Sequence, residues 1–138
     1  MKIYFGFTIV GERTFLENAK KIVALLESMG HEVLTKHVVQ ENIYSIDRSL
    51  PADEVYNRDM KWLRQADIML AEVSSTSFGV GYEAASMLAQ GKKVILFYHD
   101  SLDKKISLLI KGNTHPNCSI VKYSDISQVE DYVRKNIR

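Results

Sequence analysis

Short apolar or β-branched runs alternate along this chain with longer stretches of helical spacing. Runs at Lys2–Phe7, Glu32–Thr35, Ile68–Glu72, Val94–Tyr98 and Ser119–Lys122 each have the length of a buried strand. Between the first two, Phe15, Leu16, Ala19, Ile22, Val23, Leu26 and Met29 follow i, i+3, i+4 spacing, and Gly30 closes that helix. Pro51 suits the first turn of a second helix, with Asp53 and Glu54 near the positive end of its dipole. Helical patterns also fit Gly79–Gln90, Lys104–Lys111 and Ile126–Asn136. Strands that alternate with helices predict an open parallel sheet covered on both faces, so the expected architecture is α/β and doubly wound, with five parallel strands in a flavodoxin-like arrangement. Ligands bind such sheets at the carboxyl ends of the strands. The places to search lie just after Phe7, Thr35, Glu72 and Tyr98.

Length fixes the domain count: 138 residues, 46% of them hydrophobic, match one ordinary globular domain spanning 1–138. No internal repeat or low-complexity tract interrupts the pattern, and the two prolines mark no linker. Charge narrows the partners. With 18 basic against 17 acidic residues there is no basic stripe for a nucleic-acid backbone. The apolar run from Ile3 to Phe7 is too short for a signal peptide's core, and nowhere do roughly 18 apolar residues run together as a membrane helix needs. The expectation is a soluble, unexported, cytoplasmic protein. Cys118 is the only cysteine, which excludes an internal disulfide and a multi-thiolate metal site within one chain. The four histidines show no metal-ligand spacing, and neither metal nor cofactor is expected.

Two strand ends carry chemistry. After the first strand, Gly6-Phe7-Thr8-Ile9-Val10-Gly11-Glu12-Arg13 leads into a helix, where backbone N–H groups could hold an anion with Thr8 and Arg13 as further donors. An ordinary strand-to-helix turn reads equally well there. After the third strand, Ser74-Ser75-Thr76-Ser77-Phe78-Gly79-Val80-Gly81-Tyr82-Glu83 is a hydroxyl-rich loop entering a glycine-rich helix start. The dipole there favours an ionised Glu83, the state of a nucleophile, although the same residue could merely complement the dipole. A second carboxylate sharpens the picture. Ala52, Val55, Tyr56, Trp62, Leu63 and Ala66 form one apolar stripe on the second helix, and Asp59 projects from its middle. A carboxylate so placed is costly unless paired or used, and a structural hydrogen-bonding role is the alternative. Two carboxylates converging on a strand-end cleft are what glycosidic chemistry requires.

With these residues in place, the chain resembles the 2′-deoxynucleoside 5′-phosphate N-hydrolases within the wider nucleoside 2-deoxyribosyltransferase superfamily. The likeness covers nearly the whole chain and is most specific in Arg58-Asp59-Met60-Lys61-Trp62-Leu63-Arg64-Gln65-Ala66-Asp67-Ile68-Met69-Leu70-Ala71-Glu72-Val73, followed by Gly79-Val80-Gly81-Tyr82-Glu83 and Gly91-Lys92-Lys93. It implies a small-molecule nucleotide substrate, Glu83 as nucleophile, Asp59 as its catalytic partner and Tyr4 as a hydrogen-bond donor at the reacting centre. Ser77 and Gly79 match phosphate-contacting positions, and Thr8, Ile9 and Gly11 fall in the phosphate loop. His37 matches a histidine near the base pocket, while a solvent-facing loop histidine is the plainer reading. Ser107 matches a serine that reaches the phosphate of the neighbouring subunit's site, so the resemblance implies a homodimer. Trp62 and Met60 read as core or subunit interface.

The chain departs from the hydrolase pattern at one place. Where those proteins show a Gly-Ser-Ile-Arg-Gly-Gly loop, this one reads Phe7-Thr8-Ile9-Val10-Gly11-Glu12, so the arginine position is Val10 and a glycine has become Glu12. Arg13 or Lys111 are the candidates to replace that charge. The transferases carry an acidic residue six positions before the nucleophile, and here Ser77 stands there. The resemblance therefore favours a nucleotide N-hydrolase over a deoxyribosyltransferase or a non-catalytic nucleotide-binding module.

Overall fold

A computed structural model describes residues 1–138. Five parallel strands, β1 (Lys2–Gly6), β2 (Glu32–Val33), β3 (Ile68–Glu72), β4 (Lys93–His99) and β5 (Cys118–Tyr123), form one sheet in the order β2-β1-β3-β4-β5. That is the flavodoxin-like order expected, and its switch point lies between β1 and β3. The helices are α1 (Leu16–Ser28), α2 (Ile43–Arg48), α3 (Ala52–Gln65), α4 (Phe78–Ala89), α5 (Leu108–Lys111) and α6 (Ile126–Asn136), with 3₁₀ turns at Lys36–Val39 and Asp100–Leu102. None is long and apolar enough to cross a membrane.

Period-two alternation along the strands splits the core into two layers. Ile3, Phe5, Leu70, Ile95 and Phe97 face α1 and α6, whereas Tyr4, Met69, Ala71, Val94 and Leu96 face α3 and α4. Gly30, at φ +83°, ends the first helical segment as its position suggested.

Four expectations are corrected. The second strand stops at Val33 because the buried Thr35 replaces the ladder: its hydroxyl donates to Phe5 O and accepts from Phe5 N, both at 2.8 Å. The helix expected over Lys104–Lys111 begins only at Leu108. Ile106 turns into the core and Ser107 is extended at ψ 127°, which breaks the helical path. Pro51 stands just before α3, at ψ 142°, rather than in its first turn. The apolar stripe of α3 is buried only at its C-terminal end, by Leu63 and Ala66; Ala52 and Tyr56 are exposed. The helix α2 is an addition to the sequence reading.

Candidate active site

The carboxyl ends of β1 and β3 open into a cleft of about 670 Å³, walled by the β1–α1 loop, α2, α3 and the start of α4. The loop walls pack closely. A side chain at Gly11 would place its Cβ 2.6 Å from Thr8 Oγ1 and 2.8 Å from Thr76 O, so only glycine lets these loops touch. The Thr8 hydroxyl accepts the Gly11 N–H at 3.0 Å and shapes the turn. Across the cleft, Ser77 caps α4 by accepting from Val80 N at 3.2 Å. Gly79 follows in the first turn with only Ser77 Oγ near where a Cβ would stand, leaving open space beside the backbone.

At the floor, Tyr4 from β1 donates to Glu83 Oε1 at 2.7 Å, and Glu83 Oε2 has no protein partner. Asp59 from α3 lines the same cleft and, with Tyr4, His37 and Glu83, a smaller recess behind it. Burial raises the Glu83 carboxyl to about 7; the Tyr4 hydrogen bond opposes that shift and the Asp59 charge adds to it. Burial, and then the neighbouring Glu83 charge, pushes the Tyr4 phenol far above its ordinary value, so it stays a neutral donor. Asp59 is also raised by burial, against the pull of Arg58, whose Nε donates to Asp59 Oδ1 at 2.9 Å. The same guanidinium reaches Asp47 of α2 at 3.0 and 3.4 Å and lies over the Trp62 ring at 5.0 Å. Burial works against the Arg58 charge, but its two carboxylate partners hold its pKa above the ordinary value. Burial and the Arg58 charge lower His37, which packs on Trp62 at 5.1 Å.

Thr8, Ile9, Gly11, Asp59, Ser77, Gly79 and Glu83 thus share one cleft, and Tyr4 and His37 reach its inner recess. Ser107 does not join them within the chain. It lines a separate pocket of about 80 Å³ on the far side of the Ser74–Ser77 loop. Arg13 is no anion donor: its Nε donates to Thr8 O at 3.1 Å, and its remaining nitrogens to Gln40 O at 2.9 Å and to Val38 O. Lys111 is likewise committed, pairing with Asp103 at 2.8 Å. The sequence reading missed the cleft wall that α2 supplies, with Tyr44, Asp47 and Arg48. The signal was there in Ile43, Ile46 and Leu50, apolar at i, i+3 and i+7 before Pro51.

Fold and cleft together define an α/β protein with a carboxylate-lined cleft at a strand switch point. A family model described as nucleoside 2-deoxyribosyltransferase matches residues 3–120, and the chain belongs to that family. Its relatives include a Thermofilum pendens protein assigned by name to the 2′-deoxynucleoside 5′-phosphate N-hydrolases, 38% identical over 93% of this chain and 89% of the relative. Another is a Tetraodon nigroviridis protein named 5-hydroxymethyl-dUMP N-hydrolase, 33% identical over 96% of each chain. Among solved structures, a Clostridium botulinum CMP N-glycosidase superposes with a TM-score of 0.73 over 99% of this chain and 100% of that one. At 18% identity it speaks for the fold.

Proposed function

We propose that this chain hydrolyses the N-glycosidic bond of (2′-deoxy)nucleoside 5′-monophosphates, releasing free base and the sugar 5-phosphate through a glycosyl ester on Glu83. The observation that carries the reading is the Tyr4–Glu83 pair at 2.7 Å, set in the cleft that Asp59 lines. Tyr4 fixes one oxygen of the carboxylate and leaves the other unbonded. That oxygen attacks C1′ as the C1′–N bond breaks and its electron pair departs with the base, which takes up a proton. Water then attacks C1′, the ester C1′–O bond breaks, and Glu83 is regenerated. Asp59, aimed by Arg58, orients Glu83 and assists the proton transfers. At the other end of the substrate, Ser77, Gly79 and the Thr8–Gly11 backbone offer N–H and O–H groups to the phosphate. The relatives' names support the substrate class.

The working unit in this reading is a homodimer. Phe78, Tyr82 and Tyr56 are 96%, 53% and 53% exposed on the α3–α4 face, with Leu108 and Leu109 exposed beside Ser107. A second copy seated there would cover them and could bring its Ser107 to the phosphate. Light scattering should report a dimer, and a fully active monomer at nanomolar concentration would overturn the shared site. The activity itself is tested by chromatography of deoxy- and ribonucleoside monophosphates, with and without an acceptor base. Free base without exchange is the expected result. Base exchange would make the chain a transferase, and binding with neither outcome a nucleotide-binding module.

A further inference from the structure

We infer that Arg48, on the last turn of α2, is the cation that binds the substrate's 5′-phosphate and so sets the preference for nucleotides over nucleosides. The inference rests on the nucleotide reading of the cleft. Three carboxylates, Asp47, Asp59 and Glu83, line that cleft, and a phosphate entering it adds further negative charge. Arg58 answers the first two from the recess behind, with both its carboxylate partners already bound. The β1–α1 loop offers a phosphate no free cation: Val10, 71% exposed, stands at its tip, and Glu12 beside it is acidic. Arg13 and Lys111 are spent on carbonyls and on Asp103.

Arg48 is the only cationic side chain that lines the cleft itself. It makes no ion pair and no hydrogen bond within the protein, and its guanidinium is steadied over the Tyr44 ring one turn earlier, at 5.4 Å. The adjacent Asp47 points to Arg58, which ties this end of α2 to α3. Arg48 is thus an unpaired guanidinium on a tethered helix. It offers paired N–H groups that match phosphate oxygens. The backbone groups near Ser77 and Gly79 give direction to the phosphate, and Arg48 gives the charge.

The test compares kcat/KM for one deoxynucleoside 5′-monophosphate and its nucleoside in wild type, Arg48→Ala and Arg48→Lys. The monophosphate-to-nucleoside ratio should fall at least tenfold in Arg48→Ala, chiefly through KM, with Arg48→Lys in between. An unchanged ratio overturns the inference. So does an equal loss on both substrates, which would mean that Arg48 contacts the base or sugar. If wild type releases no base from either compound, the proposed activity fails, and the inference is read from calorimetric titration with inorganic phosphate. Binding at least tenfold weaker in Arg48→Ala then supports the phosphate role, and equal binding overturns it.

Discussion

Each side of the sheet has a carboxylate that burial raises to about 7: Glu72, at the end of β3, on the side of α1 and α6, and Glu83, carried by α4, on the side of α3 and α4. Their surroundings differ in one respect that matters for chemistry. Glu72 ends β3 at 1% exposure with both oxygens occupied: Oε1 accepts from Ser74 Oγ and from Tyr123 OH at 3.1 Å, and Oε2 accepts from Ser74 N at 3.3 Å. Tyr123 is itself held by Asn18 at 3.1 Å, and Ser74 Oγ accepts from His99 N at 2.8 Å. This closed network fastens the start of the Ser74–Ser77 loop to β4 and β5. Glu83 has one oxygen on Tyr4 and the other free, on the wall of an open cleft. A raised carboxyl pKa therefore does not by itself mark a reacting group. An unspent oxygen that a ligand can reach is the better criterion.

The largest effect separates the two carboxylates directly. Glu83→Gln keeps the size and the Tyr4 contact but removes the charge that the proposed mechanism uses to attack C1′, so base release should fall by at least roughly a thousandfold. Glu72→Gln should stay within about threefold of wild type, because none of Glu72, Ser74, Tyr123, Asn18 and His99 lines the cleft. Single-turnover release of base from a monophosphate measures both. Comparable losses in the two variants would erase the distinction drawn between them.

A smaller effect sharpens the account of Glu83. The Tyr4 hydrogen bond favours the ionised carboxylate and holds its pKa down against burial and Asp59. Removing the hydroxyl in Tyr4→Phe lets that pKa climb above about 7. Because the proposed attacking form is the deprotonated one, the acid limb of the kcat/KM profile should move to higher pH. Activity at pH 7 should drop about tenfold and partly recover in more alkaline buffer. A profile that falls uniformly without moving would show that Tyr4 positions the carboxylate and does not tune it.

Both faces of the sheet were legible in the sequence, because strands buried on two sides read as short apolar runs and their helices keep strict spacing at Ala19, Ile22, Val23 and Leu26. Asp59 stood out for a physical reason, as a charge amid apolar neighbours on one helix. Glu83 drew attention by its place in a glycine-rich helix start. What periodicity could not give is pairing across the fold. The bond from Tyr4 spans 79 residues, and the network of Glu72 joins β3 to β5 across 51. The helix α2 escaped because it has only six residues, with Ile43 and Ile46 one turn apart as its aliphatic positions, too short for a spacing to stand out; with it went Asp47 and Arg48. Ser107 was placed by resemblance alone, and no contact within one chain brings it to the cleft.

The smallest effect concerns stability, and it uses Glu72 to isolate the cost of a buried carboxylate without a function in the cleft. Between the ordinary carboxyl value of 4.5 and about 7, folded Glu72 keeps its proton while the unfolded chain has lost it. The folded state then binds more protons, so unfolding free energy must decrease as pH rises through this window, and the loss is complete above about 7. Glu83 acts in the same direction over the same window. Glu72→Gln cannot titrate and removes one of the two contributions. Its amide also changes the bonds to Ser74 and Tyr123, but that offset does not vary with pH, so the slope is the quantity to read. Urea unfolding at pH 5 and pH 8 should show wild type losing more stability than the variant over this interval, by about 1–3 kcal/mol. Parallel losses in the two proteins would mean that Glu72 is already ionised at pH 5, held by its three donors strongly enough to cancel its burial.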